Sequence, residues 1–265
     1  MSNQLTHGGS TLKVAVLQTE LTWQDAAANR AHFEKLFPQL LGQDLVVLPE
    51  TWTSGFSMSG AEIAESMDGM TVQWLLQQAK HFQFAICGSL VIADAGRLFN
   101  RMLFVEPDGS IQYYDKKHLF RMAGEHQHYQ AGDRRCVVNY RGFRLNLQIC
   151  YDLRFPVFAR NQADYDALIY VANWPAARRH AWRTLLAARA IENQAFVIGC
   201  NRVGIDGNGV HYSGDSLILA ATGLPLAEPQ HADEQILKAE LNLADLLQFR
   251  QQFPVAMDAD PFQLL

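Results

Sequence analysis

The sequence lacks the features that identify several classes of protein. Its 265 residues include only four cysteines and no Cys-x-x-Cys pair, which argues against a disulfide framework and against a zinc ribbon. No apolar run reaches the roughly 18 residues that a membrane-spanning helix needs. The net charge is −5, so no basic excess favours nucleic acid or an anionic lipid surface as a partner.

Segments typical of disorder or targeting are missing as well. No Pro/Ser-rich linker, low-complexity tract or internal repeat divides the chain. The N-terminus lacks the basic and apolar regions of a signal peptide. Hydrophobic residues make up 49% of the chain, enough to offset the entropy lost on folding. We therefore expect a cytoplasmic protein with a flexible leader at residues 1–11 and a single domain at residues 12–265.

Short apolar runs alternate with longer segments of helical period. The runs that predict strands are 12–18, 44–49, 84–91, 97–105, 143–150, 167–172, 195–201 and 216–220. The segments with apolar residues three and four positions apart, which predict helices, are 23–41, 71–82, 180–194 and 242–253, the last with Asn242 as its N-cap. Because strands that are apolar on both faces need a sheet covered on both sides, we predict an α/β sandwich with helices outside.

Polar residues at the ends of predicted strands mark a candidate site, because α/β proteins build their sites there. Glu50 closes the run DLVVLPE, and Cys150 closes FRLNLQIC where the strand gives way to a turn. Lys116 and Lys117 follow a strand-like run in IQYYDKKHLF, and one of the two is a candidate to point inward. A thiol, a carboxylate and a fixed cation are the groups that nucleophilic acyl chemistry uses.

The other cysteines are interpreted as structural. Cys87 and Cys200 lie inside apolar strands, where free cysteine behaves as a small buried hydrophobe. Cys136 has two arginine neighbours that would lower its pKa, but no acid–base partner is close in sequence.

The three polar stretches resemble the signature of the nitrilase superfamily of carbon–nitrogen hydrolases. LPE at 48–50, YDKKHLF at 114–120 and CYDLRFP at 150–156 occur in the family's order and at comparable spacings. The register of this resemblance selects Lys116 over Lys117. The fold it implies is a nitrilase-like α-β-β-α sandwich of two mixed sheets flanked by helices.

The same resemblance implies a role for each residue. Glu50 would be the general base, Lys116 would stabilise the oxyanion, and Cys150 would be the nucleophile that forms a thioester. Glu125 corresponds to a second glutamate that orients the lysine or the substrate amide. The backbone N–H of Tyr151 would share the oxyanion. No metal and no organic cofactor is needed for this chemistry.

Three further stretches are similar to the omega-amidase branch of the superfamily: MAGEHQHYQAG, ANWPAARRHAW and ARAIENQAFVIGCNRVG. The resemblance implies hydrolysis of the terminal amide of 2-oxo dicarboxylic acid monoamides, namely 2-oxoglutaramate and 2-oxosuccinamate. Val157 departs from the family, in which Glu often follows RFP. A homodimer or larger homo-oligomer is also implied, with helix 180–194 and the C-terminal Phe262, Leu264 and Leu265 as candidate contacts.

A 2-oxo acid substrate needs a cation or N–H groups for its carboxylate. Arg121, Arg154 and Arg178 are the arginines nearest the motifs, and Arg154, inside the cysteine motif, is interpreted as structural. The aromatic candidates for apolar pocket walls are Trp52, Phe56, Tyr151 and Trp174.

Three alternatives remain open from the sequence. His126 and His128 form an HxH beside Glu125 that could bind zinc, although no HExxH motif is present. The same Glu, Lys and Cys would serve hydrolysis of a nitrile or of an N-carbamoyl amide. A non-catalytic oligomeric scaffold is the third. In the favoured interpretation the partner is a small-molecule amide, with no nucleic acid and no membrane.

Overall fold

The computed structural model of the chain describes residues 10–264, and strands make up most of its interior. In chain order they are β1 (Thr11–Gln18), β2 (Leu45–Val47), β3 (Ala85–Asp94), β4 (Arg97–Val105), β5 (Ile111–Asp115), β6 (Val137–Tyr140), β7 (Phe143–Ile149), β8 (Ala167–Ala172), β9 (Phe196–Asn201), β10 (Val203–Ile205), β11 (His211–Ser213), β12 (Leu217–Leu219), β13 (Pro225–Ala227) and β14 (Gln235–Asn242).

Two six-stranded sheets organise these strands. The first has the order β14-β1-β2-β3-β4-β5, and the second has the order β13-β12-β9-β8-β7-β6. The centre of each sheet is parallel, since β1, β2 and β3 run together, as do β7, β8 and β9, while the outer pairs are antiparallel. Strands β10 and β11 form a separate two-stranded ribbon. Both sheets are therefore mixed, as predicted.

The helices lie between the strands along the chain. They are α1 (Ala26–Leu36), α2 (Gly60–Ile63), α3 (Met70–Phe82), α4 (Glu125–His128), α5 (Pro156–Ala159), α6 (Arg179–Asn193) and α7 (Leu243–Gln252). Five 3₁₀ turns lie at Phe37–Leu40, Arg121–Ala123, Cys150–Arg154, Ala176–Arg178 and Val255–Asp258. Asn242 caps α7 as predicted, because its side-chain oxygen accepts a hydrogen bond from the Ala244 N–H at 2.9 Å. None of these helices is long and apolar enough to cross a membrane.

The core has three apolar layers because the side chains of each strand alternate between its two faces. Val16 of β1 and Leu147 of β7 belong to the cluster between the two sheets. Leu17, on the other face of β1, packs with α1 and α3. Leu168 of β8 faces outward in the same way and packs with residues of α6. The order of layers is helix, sheet, sheet, helix, which confirms the predicted α-β-β-α sandwich.

The ends of the chain differ in part from the predicted boundaries. Residues 1–9 of the predicted leader lie outside the described residues. Thr11 is already part of β1 and pairs with Asn242 of β14, and the carbonyl of Ser10 accepts a hydrogen bond from the Leu243 N–H. The ordered fold therefore begins before the predicted boundary at residue 12.

Candidate active site

The carboxyl ends of β2, β5 and β7 bring the predicted residues together. Glu50 follows β2, Lys116 follows β5 and Cys150 follows β7. The Lys116 ammonium donates hydrogen bonds to Glu50 Oε1 at 2.9 Å and to Glu125 Oε1 at 3.0 Å. The side chains of Glu50, Lys116 and Glu125 are 0% exposed. One lysine is thus shared by two carboxylates, and all three side chains are buried.

The Glu50 carboxylate is held in place by two asparagines that the motif analysis missed. Asn100 Nδ2 donates to Glu50 Oε1 at 2.8 Å, and the Asn173 backbone N–H donates to Glu50 Oε2 at 2.7 Å. The Asn173 side chain also donates to the Glu50 backbone carbonyl at 2.7 Å. Since Asn173 follows β8 of the second sheet, these bonds join the two sheets at the site. They fix the orientation of the carboxylate.

Cys150 lies at a sharp turn between β7 and a 3₁₀ turn. Its φ angle is +46°, a left-handed conformation that non-glycine residues adopt at a cost in free energy. The sulfur lies 4.0 Å from the carbonyl oxygen of Asn173, near the end of β8. The Tyr151 N–H belongs to the first turn of the 3₁₀ segment, where N–H groups have no partner within the helix. Both Cys150 and Tyr151 line the cavity described below.

Asp152 fastens the cysteine turn to the lysine loop. Its buried carboxylate accepts hydrogen bonds from the Ile149 N–H at 2.9 Å and from the Tyr114 hydroxyl at 2.8 Å. It also accepts one from the His118 N–H at 3.0 Å, and His118 Nδ1 lies 2.7 Å away. Tyr114 and His118 flank Lys116 along the chain, so Asp152 fixes the position of Cys150 relative to Lys116.

The environment shifts the pKa of Cys150, Lys116 and Glu125. Burial raises the pKa of the Cys150 thiol well above its ordinary value, and the negative charge of Glu50 raises it further, while Lys116 acts in the opposite direction. Burial lowers the pKa of Lys116, but Glu125 and Glu50 outweigh this and raise it. Burial and the charge of Glu50 raise the pKa of Glu125 despite the ion pair with Lys116. These shifts favour the neutral form of the Cys150 thiol and the protonated form of Lys116.

A cavity of about 540 Å³ opens above the cysteine. Cys150, Lys116 and Glu50 lie in its wall together with the predicted pocket residues Phe56, Tyr151, Trp174 and Arg178. The remaining lining residues are Met58, Phe120, Met122, Ala123, Arg154, Asn173, Pro175, Ala177, Asp206, Asn208, Val210 and Tyr212. Four of these belong to the β10–β11 ribbon and its turn. A small amide substrate fits such a mostly apolar, partly charged cavity.

Three predicted placements need correction. Trp52 does not line the cavity: it is 0% exposed and packs against Phe33 in the outer core of the first sheet, with ring centroids 5.1 Å apart. Arg121 is exposed and does not line the cavity, although the next two residues do. Arg154, interpreted as structural from its place in the cysteine motif, lines the cavity with its guanidinium over the Trp174 ring at 5.0 Å.

The structure does not support the alternative of a zinc site at His126 and His128. His126 and His128 are exposed in α4. Within residues 10–264, no three His, Cys, Asp or Glu side chains come together in an arrangement that could hold a metal ion.

Comparison with known proteins identifies the family. The sequence profile described as carbon–nitrogen hydrolase matches residues 13–251. A protein of Yersinia enterocolitica named Omega-amidase YafV is 52% identical over 256 residues, which cover 97% of this chain and 100% of that protein. A 2-oxoglutaramate amidase of Bacillus subtilis (strain 168) is 36% identical over 220 residues, covering 81% of this chain and 84% of that protein.

A solved structure has the same architecture. XC1258 from Xanthomonas campestris, described as a CN-hydrolase superfamily protein with an arsenic adduct in the active site, superposes with a TM-score of 0.94 at 46% identity. The superposition covers 96% of this chain and 99% of that one. The chain therefore belongs to the carbon–nitrogen hydrolase family and is an enzyme of that class. Within the family it is similar to the omega-amidases.

Proposed function

We propose that the protein is an omega-amidase that hydrolyses the terminal amide of 2-oxo dicarboxylic acid monoamides, with 2-oxoglutaramate and 2-oxosuccinamate as substrates. The names of its relatives from Yersinia enterocolitica and Bacillus subtilis support the substrate class. The observation that carries the chemistry is the buried Lys116 ammonium, joined to Glu50 and Glu125 in the wall of the cavity that contains Cys150.

The first half of the reaction forms an acyl-enzyme. The Glu50 carboxylate accepts the Cys150 proton as the sulfur attacks the amide carbon, so that an S–C bond forms. Lys116 and the Tyr151 N–H stabilise the oxyanion of the tetrahedral intermediate. Glu50 then gives its proton to the amide nitrogen, the C–N bond breaks, and ammonia leaves behind a thioester on Cys150.

The second half of the reaction releases the acid. Glu50 takes a proton from a water molecule, and the hydroxide oxygen attacks the thioester carbon. Lys116 and the Tyr151 N–H again stabilise the oxyanion. The S–C bond breaks, the proton returns from Glu50 to the sulfur, and the carboxylic acid product leaves.

Glu125 acts through Lys116 in this proposal. Its Oε1 accepts the lysine hydrogen bond, while its Oε2 accepts one from the Phe120 N–H at 2.5 Å. The carboxylate is thereby locked to the backbone of the loop. Because two anions surround it, Lys116 stays protonated although it is buried. Glu125 therefore keeps Lys116 protonated and holds its ammonium group in a fixed orientation.

The experiment measures ammonia release from 2-oxoglutaramate, 2-oxosuccinamate, glutamine, a simple nitrile and an N-carbamoyl amino acid. Wild-type protein should release ammonia from the two keto-amides, and Cys150→Ala should not. Cys136→Ala is the matched control, because that cysteine lies outside the cavity lining. Preference for the nitrile or the carbamoyl compound through Cys150 would overturn the substrate class. If the wild-type protein released ammonia from none of these compounds, a non-catalytic scaffold would be favoured.

We further propose that the enzyme acts in the cytoplasm as a homodimer or larger homo-oligomer, without a metal or organic cofactor. All four cysteines are free, as a reducing compartment would keep them. Val157 of α5 and Ile191 of α6 are 57% and 56% exposed, and Leu264 is 40% exposed. We propose these three side chains as the contact surface that a second copy would cover. Leu265, also predicted as a contact, lies outside the described residues.

A further inference from the structure

Two arginines in the cavity wall are free of acidic partners among the described residues. Arg154 and Arg178 both line the cavity, and neither takes part in any of the ion pairs found within residues 10–264. Arg179, the neighbour of Arg178, is by contrast bound to Asp215 at 2.6 Å. Nine of the sixteen arginines are paired within residues 10–264, and among the unpaired ones Arg154 and Arg178 are the two that line this cavity.

Aromatic rings hold both guanidinium groups in place. The Arg154 Cζ lies 5.0 Å from the centroid of the Trp174 ring, and the Arg178 Cζ lies 5.3 Å from that of Phe120. Both rings line the same cavity. The Trp174 indole N–H donates to the Arg178 carbonyl at 2.9 Å, which couples the two segments. Contact with a ring face restrains a guanidinium while its N–H edge remains able to bind a ligand.

The acidic groups of the cavity wall are already occupied. Glu50 accepts hydrogen bonds from Lys116 and Asn173. Asp206 accepts bonds from the N–H groups of its own turn and, at 2.9 Å, from the Tyr212 hydroxyl. Neither carboxylate bonds to an arginine of the cavity. The two guanidinium groups therefore present positive charge to a partly apolar cavity, which is the chemistry that binds a carboxylate ligand.

We propose that Arg154 and Arg178 together bind the carboxylate and 2-oxo oxygens of the substrate while its amide lies at Cys150. This proposal rests on the proposed function and names the part of the cavity that selects the 2-oxo acid substrate. Guanidinium donors bind a carboxylate with two parallel hydrogen bonds, and a second arginine supplies donors for the adjacent keto oxygen. Because both arginines and Cys150 line the same cavity, the separation between them also limits the chain length between the two ends of the substrate.

The experiment compares kcat/KM for 2-oxoglutaramate with that for butyramide, an amide that carries no carboxylate. Arg154→Gln and Arg178→Gln should each lower the ratio of the two values by about 10- to 100-fold, mainly through KM. This range corresponds to the loss of hydrogen bonds to a charged group. Arg121→Gln is the matched control, because Arg121 is exposed beside the cavity without lining it, and the ratio should stay at its wild-type value.

Two outcomes would overturn the proposal. A parallel fall for both substrates would mean that the arginines act on the fold or on Cys150, and an unchanged ratio would mean that they do not contact the carboxylate. Arg154→Lys and Arg178→Lys keep the charge without the paired donors, so an intermediate ratio is expected for them.

A separate measurement distinguishes this proposal from the proposed function. Binding of 2-oxoglutaramate to Cys150→Ala, followed by calorimetry, does not depend on turnover. Suppose that the wild-type protein hydrolysed no keto-amide but Cys150→Ala bound 2-oxoglutaramate. If adding Arg154→Gln or Arg178→Gln to Cys150→Ala then removed binding, the proposed function would be wrong and the proposed subsite would be supported. Binding that survives both changes would overturn the subsite.

Discussion

Cys150 and Glu50 line the same cavity, and the proposed mechanism passes a proton between them. Burial favours the neutral thiol, and the Glu50 charge favours it further, so the resting sulfur is not a preformed thiolate. The nucleophile must therefore be made during the reaction, by transfer of its proton to Glu50. Lys116 favours the thiolate and the developing oxyanion alike. A change at Glu50 should therefore affect the pKa of the Cys150 thiol and the rate of hydrolysis differently.

Glu50→Gln tests that separation. Removing the negative charge should lower the pKa of Cys150, because the Glu50 charge raises it, and should therefore increase the thiolate fraction at a given pH. Hydrolysis of 2-oxoglutaramate should nevertheless fall by about 10²–10⁴-fold, since the general base is lost. Thiolate absorbance measured against pH gives the first quantity, with Cys150→Ala as the blank for the other cysteines, and ammonia release gives the second. A variant that hydrolysed the amide at the wild-type rate would refute the role of Glu50.

The residues of the site were predictable to the extent that a motif or a strand end marked them. Glu50, Lys116 and Cys150 met both conditions. Asn173 closes the apolar run ALIYVA just as Glu50 and Cys150 close theirs, so the same rule would have found it. Asn100 offered a weaker signal, as a polar residue inside the strand RLFNRMLFV. Contacts such as that between Glu50 and Asn173, 123 positions apart, depend on how the sheets pack.

At the scale of secondary-structure elements, the cysteine turn and the lysine loop are held together by a single carboxylate. Asp152 contacts the end of β7 through Ile149 and the residues around Lys116 through Tyr114 and His118. The His118 ring also stacks on Phe155, with centroids 3.9 Å apart. The turn that contains Cys150 and the loop that contains Lys116 are thus held in a fixed relative position.

Asp152→Asn should weaken the contact between the Cys150 turn and the Lys116 loop. An amide keeps the shape of the carboxylate but replaces one acceptor oxygen by a donor, so at least one buried donor loses its partner at a cost of about 1–3 kcal/mol. Urea unfolding should show that loss, and kcat for 2-oxoglutaramate should fall because Cys150 loses its fixed position relative to Lys116. KM should rise as well, because Arg154 belongs to the same 3₁₀ turn as Asp152. Asp133→Asn, at an exposed acid on the same side of the lysine loop, is the control. A kcat equal to that of the wild-type protein would contradict the positioning role.

Periodicity predicted the inner elements better than the edges. Strands β4 and β8 have the predicted bounds, because both faces of these strands are largely covered and the apolar run is continuous. Strand β14 was missed because it is an edge strand whose exposed positions carry Lys238 and Glu240, which interrupt the apolar run. The predicted helix 23–41 divides at Leu36, where Pro38 falls in a 3₁₀ turn.

At the scale of the whole molecule, two sheets face each other so that the ends of β2, β7 and β8 meet. The parallel centre of each sheet points its carboxyl ends to one edge, and the hydrogen bonds between Asn173 and Glu50 join the sheets there. Neither sheet alone contains the site. The pattern of runs predicted that there would be covered sheets, and the family resemblance supplied their pairing, which periodicity does not encode.

The oligomer is a prediction at this scale. Sedimentation at micromolar concentration should give a mass at least twice that of one chain. Val157→Asp and Ile191→Asp should shift the mass toward that of a monomer, because each places a charge at an exposed apolar side chain of the proposed contact surface. Leu41→Asp is the matched control, since Leu41 is 68% exposed outside that surface. A wild-type monomer, or an equal response of the control, would remove the predicted interface.

The most direct test of the central claim is hydroxylamine capture during turnover of butyramide, because hydroxylamine would condense with the keto group of 2-oxoglutaramate. A thioester on Cys150 would be divided between water and hydroxylamine, so the wild-type protein should yield a hydroxamate in proportion to the hydroxylamine added, with one ammonia released per product. Cys150→Ala should yield neither ammonia nor hydroxamate. Ammonia release by the wild-type protein without any hydroxamate, or hydroxamate formation by Cys150→Ala, would contradict catalysis through a Cys150 thioester.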